Sequence, residues 1–113
     1  MANIRSFLGP IEYVIDGDTI KDFHGKILYE IDGNDVRDFY GAIQYKISGN
    51  RITNFHGQVL YTFDGDDIRD FYGKILYKYD GDYIREFTGT IVYKIDGYLS
   101  DTQLKAFIAI ALG

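Results

Sequence analysis

The stretch "FYGKILYKYDGDYIRE" at residues 71–86 holds an apolar strand pattern, an Asp-Gly turn and a second short apolar run. Looser copies are "FHGKILYEIDGNDVRD" at 23–38 and "FHGQVLYTFDGDDIRD" at 55–70. The period is sixteen residues without interruption, with Phe at 7, 23, 39, 55, 71 and 87 and Tyr at 13, 29, 45, 61, 77 and 93. Such a period indicates one supersecondary unit, here present in six copies.

Each copy is predicted to be a β-hairpin. In the second copy, Ile27, Tyr29 and Ile31 alternate with more variable positions, which predicts a strand whose Ile-Tyr-Ile face is core. The Asp-Gly pair that follows is a strong hairpin-turn signal. The short run 20–23 predicts the second strand, and its two apolar ends have opposite parity. We therefore expect a bulge or twist near 23–25.

Six hairpins must share one interior, because a single hairpin cannot bury an apolar face by itself. A closed ring, an open ladder and a solenoid all provide such an interior. The equal copy lengths favour a closed, pseudo-symmetric ring that resembles a flower or a propeller. The predicted fold is therefore all-β, a single domain over 1–113 with six hairpin repeats over 4–97.

The last stretch, "YLSDTQLKAFIAIALG" at 98–113, abandons the repeat and predicts a helix over 99–113. Ser100 and Gln103 have the spacing of a capping box. The residues that follow are apolar almost all round, which predicts burial on more than one side. We expect one face to cap the open end of the ring and another to contact a second copy. The predicted contacts of this homo-oligomer are Leu104, Phe107, Ile108 and Ile110.

The run "GKILYKYDGDYIREFTG" at 73–89 resembles the repeats of the bacterial β-flower proteins, which are small hairpin-repeat chains. The shared features are a Gly, an apolar-x-Tyr strand, an Asp-Gly turn and a short second strand. The resemblance covers roughly residues 4–97 and implies a flower of hairpins. Six copies replace the family's four, so its four-fold symmetry is not implied. A weaker resemblance, to the hairpin ladders of MORN repeats, rests on Phe/Tyr-x-Gly. Neither resemblance implies a catalytic residue.

Composition narrows the expected partners. The net charge of −5 disfavours nucleic acid, whose phosphates attract basic surfaces. There is no Cys, which excludes disulfides and thiolate metal sites. The N-terminal segment has no signal-peptide pattern, and the longest apolar run is too short to span a bilayer. We therefore expect a cytoplasmic protein with no nucleic-acid or membrane partner.

Basic residues that recur on the short strands form the candidate ligand site. One hypothesis is a basic ring near the pseudo-axis that gathers an anionic ligand. The other is surface ion pairing with the acidic residues that follow. The residues are Arg5, Lys21, Arg37, Arg69 and Arg85.

The turns and the tyrosines give two further hypotheses. Asp-Gly turns offer oxygen ligands of the kind that Ca²⁺ binds, although hairpin geometry alone accounts for these residues. The repeated Tyr provides either a sugar-binding platform or core packing beside the Ile positions. No catalytic or phosphate-binding pattern is present, so we expect no enzyme, no metal and no cofactor. The predicted function is a non-enzymatic structural or interaction module that self-associates. The alternative is a protein that binds a small ligand or carbohydrate.

Overall fold

The computed structural model describes residues 1–112, and for Leu112 the backbone alone. Within this range the chain forms twelve short strands and then one helix. The strands are β1 (Ala2–Ser6), β2 (Ile11–Asp16), β3 (Thr19–Asp22), β4 (Ile27–Asp32), β5 (Asp35–Asp38), β6 (Ile43–Ser48), β7 (Arg51–Asn54), β8 (Val59–Asp64), β9 (Asp67–Arg69), β10 (Ile75–Asp80), β11 (Tyr83–Glu86) and β12 (Ile91–Asp96). The helix, α1, is Asp101–Leu112, so Gly113 of the predicted helical segment lies outside the described residues.

The sheet closes on itself as a twelve-stranded antiparallel barrel, and the predicted closed ring is confirmed. Neighbours along the chain are neighbours in the sheet, and β1 pairs with both β2 and β12. The sixth strand pair is therefore formed by β12 and β1, the two ends of the repeat region, with Ile4 opposite Ile95. A hydrogen bond of 2.8 Å from Arg5 Nε to Asp96 Oδ2 joins the same two strands. Among residues 1–112, closure leaves no strand edge unpaired, which an open ladder would not achieve.

The two ends of the ring carry different turns. Asp-Gly turns and the equivalent Ser48-Gly49 lie at one end, where the glycines adopt left-handed backbone angles such as φ 62° at Gly17. Phe-x-Gly turns lie at the other end, between each short strand and the next long one. The whole body is a disc with Cα extents of 35 × 34 × 18 Å. We call these ends the Asp-Gly end and the Phe-turn end.

The predicted bulge at 23–25 is wrong in its position, because those residues form a hydrogen-bonded turn. Asp22 Oδ1 accepts hydrogen bonds of 2.9 Å from the backbone N–H groups of both His24 and Lys26. The register shift comes later: Ile20 faces Tyr29, but Lys21 faces Ile27, which leaves Leu28 as the extra residue. Adjacent short and long strands of neighbouring copies repeat this shift.

The deepest core position lies on the short strands rather than on the predicted Ile-Tyr-Ile face. One apolar residue of each short strand is 0% exposed: Ile4, Ile20, Val36, Ile52, Ile68 and Ile84. The last residue of the predicted face is also buried in five of six copies: Ile15, Ile31, Ile47, Phe63 and Ile95. The first residue of that face is only half-buried. The bulge explains this difference, because it interrupts the alternation of side chains at the start of each long strand.

The helix lies inside the ring, whereas the sequence predicted a cap across its open end. Ala106, Phe107, Ile108 and Ala109 are all 0% exposed. The predicted capping box is confirmed: Ser100 N donates to Gln103 Oε1 at 2.8 Å, and Gln103 N donates to Ser100 Oγ at 3.1 Å. A barrel of about eight strands is just wide enough for its own side chains to fill, so twelve strands leave a lumen that takes a helix.

Contacts along α1 give its direction through the ring. Gln103 Nε2 donates to the carbonyl oxygen of Gly17 at 2.7 Å, at the Asp-Gly end. Further along, the Phe107 ring meets the edges of Tyr13 and Tyr93, with centroid distances of 5.6 and 5.3 Å. These tyrosines lie nearer the Phe-turn end, so the helix enters at the Asp-Gly end and its last turn points to the other. No helix in the described part of the chain is long and apolar enough to cross a membrane.

Candidate functional site

The predicted basic residues lie on the outer wall of the ring and not around its axis. Val36 faces the interior, so its neighbour Arg37 faces outward. Arg37 Nε lies 3.3 Å from Asp32 Oδ2, and its Nη1 donates to the Gly41 carbonyl at 2.8 Å. The same outward position is taken by Arg5, Lys21, Arg37, Arg69 and Arg85. Ion pairing with nearby carboxylates occupies the four arginines. That any of these residues binds a ligand stays a prediction.

The predicted oligomer residues on the helix are mostly enclosed by the chain itself. Leu104 is 8% exposed, and Phe107 and Ile108 are 0% exposed. Ile110 is half-buried and packs against the core. Of the four residues, Ile110 alone therefore keeps surface for a second copy, and the homo-oligomer itself stays a prediction.

Exposed aromatic side chains form a rim at the Phe-turn end. The six repeated Phe residues are 51–66% exposed, and we call them the phenylalanine rim: Phe7, Phe23, Phe39, Phe55, Phe71 and Phe87. The residue after each Phe extends this surface, with Leu8 92% exposed and Tyr40 and Tyr72 each 89% exposed. The sequence analysis did not identify this rim. The spacing of Ile20 and Phe23 could have indicated the rim. Side chains three residues apart in a strand lie on opposite faces, so Phe23 is outside when Ile20 is inside.

Four of the six rim positions have a ring contact with the next residue of the chain. The Phe39 ring meets Tyr40 edge-on at a centroid distance of 5.5 Å, and Phe71 meets Tyr72 in the same way at 5.3 Å. In the alternate copies the partner is His, and Phe55 lies 3.8 Å from His56. Shallow grooves separate neighbouring copies, such as one of about 450 Å³ between Phe71-Tyr72 and residues 57–60. The rim is therefore a repeated, ordered surface of aromatic rings and small grooves.

Inside the ring, the repeated tyrosines surround the lumen near the Phe-turn end. Burial raises the pKa of Tyr13, Tyr45 and Tyr93 above the ordinary value of 10.0. Burial also raises the pKa of Tyr61, and its neighbours Tyr77 and Tyr45 add to the rise. These side chains are neutral hydrogen-bonding groups at neutral pH. Core packing accounts for their position better than the predicted sugar-binding platform, since they pack against buried residues.

A cavity of about 380 Å³ opens at the Asp-Gly end, and we call it the mouth cavity. It lies between the start of α1 and the fourth and fifth hairpins, and its lining includes Phe63, Asp66, Tyr79 and Lys105. Lys105 is only 5% exposed, and its Nζ donates to the Gly49 carbonyl at 2.8 Å and to Asp101 Oδ2 at 2.7 Å. The same Nζ lies 5.6 Å from the centroid of the Phe63 ring. No sequence pattern indicated this cavity, because it depends on where the helix lies in the lumen.

Among residues 1–112, no group of three or more His, Cys, Asp or Glu side chains is arranged to hold a metal ion. The Asp residues of the Asp-Gly turns are instead exposed or paired with arginines, as Asp32 is with Arg37. Comparison of the chain with protein-family models, with curated proteins and with solved structures finds no match. The resemblance to β-flower and MORN repeats therefore stays a prediction, and function has to be argued from the surfaces themselves.

Proposed function

We propose that this chain is a non-enzymatic interaction module that self-associates through its phenylalanine rim. The observation that carries the proposal is the exposure of the same aromatic residue, by 51–66%, in all six copies. A repeated aromatic residue that neither fills the core nor lies in the sheet has to be explained by something outside the chain. Large apolar surfaces that stay exposed on a folded protein typically mark interaction sites.

The area of the rim is sufficient for a stable contact. Six Phe side chains exposed by 51–66% present roughly 550–900 Å², since an aromatic side chain carries about 150–250 Å². Leu8, Tyr40 and Tyr72 add to this surface. The largest apolar patch of a typical monomer is about 300–600 Å², and a standard interface buries about 800 Å² per partner. The rim alone therefore approaches the area that one side of a stable dimer needs.

A second copy of the chain is the partner that fits this surface best. The rim repeats around the pseudo-axis, so two rims placed face to face bring aromatic residues against aromatic residues at every copy. Such a contact is isologous, which is the common arrangement in homodimers. The rim residues themselves carry no charge. Three of the carboxylates beside them, those of Asp22, Asp38 and Asp70, accept hydrogen bonds from the backbone N–H groups of the same turns. The last turn of α1, with the half-buried Ile110, points to the same end.

The test is the mass of the protein in solution. We expect the native chain to sediment as a homo-oligomer at about 100 μM, a concentration high enough to detect weak association. The double variant Phe39→Ser, Phe71→Ser removes two exposed rings, and we expect it to weaken association at least about tenfold. Tyr98→Ser is the matched control, because Tyr98 is an 81% exposed aromatic residue at the opposite end. A monomeric native chain, or equal association of the two variants, would contradict the proposal.

A further inference from the structure

We propose that the mouth cavity is a binding site for a neutral, polyhydroxylated molecule of about the size of a monosaccharide. This proposal is independent of the phenylalanine rim, which lies at the other end of the ring. The cavity volume of about 380 Å³ lies within the range of small-molecule sites, about 300–1,000 Å³. Its lining combines two aromatic rings, two carboxylates and one buried ammonium group.

The cavity arises where both the ring and the helix depart from six-fold symmetry. At the buried position of the long strands, four copies have Ile, whereas the fourth has Phe63 and the fifth has Tyr79. Both exceptions line the mouth cavity. The helix packs most closely against β6 in the third hairpin, and its side chains reach Gly17 in the first hairpin and Gly49 in the third. The aromatic residues therefore stand where the helix leaves the lumen unfilled.

Lys105 presents its ammonium group to the cavity. An ammonium group has three N–H donors. The Gly49 carbonyl and Asp101 accept from two of them, which leaves one donor without a hydrogen-bond acceptor among residues 1–112. A ligand oxygen in the cavity is a suitable acceptor for this third donor.

The charges of the lining select the class of ligand. An anion would meet Asp66 and Asp101, and a cation would meet the ammonium of Lys105 above the Phe63 ring. A hydroxyl group suits both kinds of neighbour, since it accepts from Lys105 and donates to a carboxylate. The half-buried Tyr79 ring offers apolar surface for the C–H face of a sugar ring. A neutral polyol therefore satisfies all parts of the lining, which neither type of ion does.

The test uses nitrogen-15 NMR spectra of the full chain titrated with glucose, galactose or N-acetylglucosamine to about 50 mM, a range that detects millimolar affinity. Glycine, acetate and tetramethylammonium are the charged probes. We expect shifts at Asn50, Gly65, Asp66 and Lys105 with at least one sugar, and none of comparable size with the charged probes. No shift with any sugar, shifts outside the cavity lining, or preferential binding of a charged probe would overturn the proposal.

Two variants test the residues of the cavity lining, and each introduces the residue that other repeats have at the same position. Tyr79→Ile installs the residue of four other copies, and we expect about tenfold weaker sugar binding, because an aromatic face is lost. Asp66→Asn installs the residue of the second and third copies at an exposed position, where the fold is not at risk. We expect it to weaken binding severalfold, whereas its matched control Asp18→Asn, in the first hairpin, leaves affinity within about twofold. Unchanged affinity in both pocket variants would overturn the proposal, because neither the Tyr79 ring nor the Asp66 carboxylate would then contact the sugar.

Discussion

Replacing Phe107 with Ala tests whether the helix is enclosed by the ring. Phe107 is 0% exposed, and its ring meets Tyr13 and Tyr93 at centroid distances of 5.6 and 5.3 Å. Truncation of a buried Phe to Ala costs about 3–5 kcal/mol. We expect the upper part of this range, about 4–5 kcal/mol, because a closed wall of hydrogen-bonded strands cannot collapse onto the space left behind. Two edge-on aromatic contacts are lost as well.

Urea unfolding followed by far-ultraviolet circular dichroism measures this loss as a change in the free energy of unfolding. Phe71→Ala is the matched control, since it makes the same chemical change at a side chain that is 66% exposed. We expect the control to cost less than about 1 kcal/mol. Similar losses in the two variants, or a loss below about 1 kcal/mol for Phe107→Ala, would show that the helix does not fill the lumen.

Two further predictions concern the wall of the ring. Ile68→Ala, at a position that is 0% exposed, should lower the free energy of unfolding by about 3–4 kcal/mol in the same urea assay. Ile75→Ala, at a half-buried position, should lower it by about half as much. A larger loss at Ile75 than at Ile68 would mean that the long strand carries the core. Because the pKa values of the lumen tyrosines are raised, their contribution to the free energy of unfolding should be constant below pH 10.0 and fall as the pH rises above it. Above pH 10.0 the unfolded chain releases tyrosine protons that the folded chain retains. Ultraviolet titration of tyrosinate checks this, and titration of Tyr13, Tyr61 and Tyr93 at the ordinary pKa in the native chain would contradict it.

Much of the fold could be predicted because its signals are local. The Asp-Gly pairs at 16, 32, 64 and 80 predicted hairpin turns, and the glycines of these turns have φ values of 59–63°. Ser100 and Gln103 predicted the start of the helix from four residues alone. The candidate site could not be predicted in the same way. The mouth cavity brings together residues from the third, fourth and fifth hairpins and the helix, which are far apart in the chain.

The repeat, the hairpins, their turns and the helix cap follow from the order of residues along the chain, because each depends on backbone preferences and hydrogen bonds within a few residues. Three other outcomes depend on how distant parts of the chain meet: Ile4 pairs with Ile95, α1 enters the lumen, and Arg37 points away from the axis. These outcomes depend on ring size. Twelve strands bring the two ends of the repeat region together and enclose more space than their own side chains can fill, and the apolar helix takes up that space.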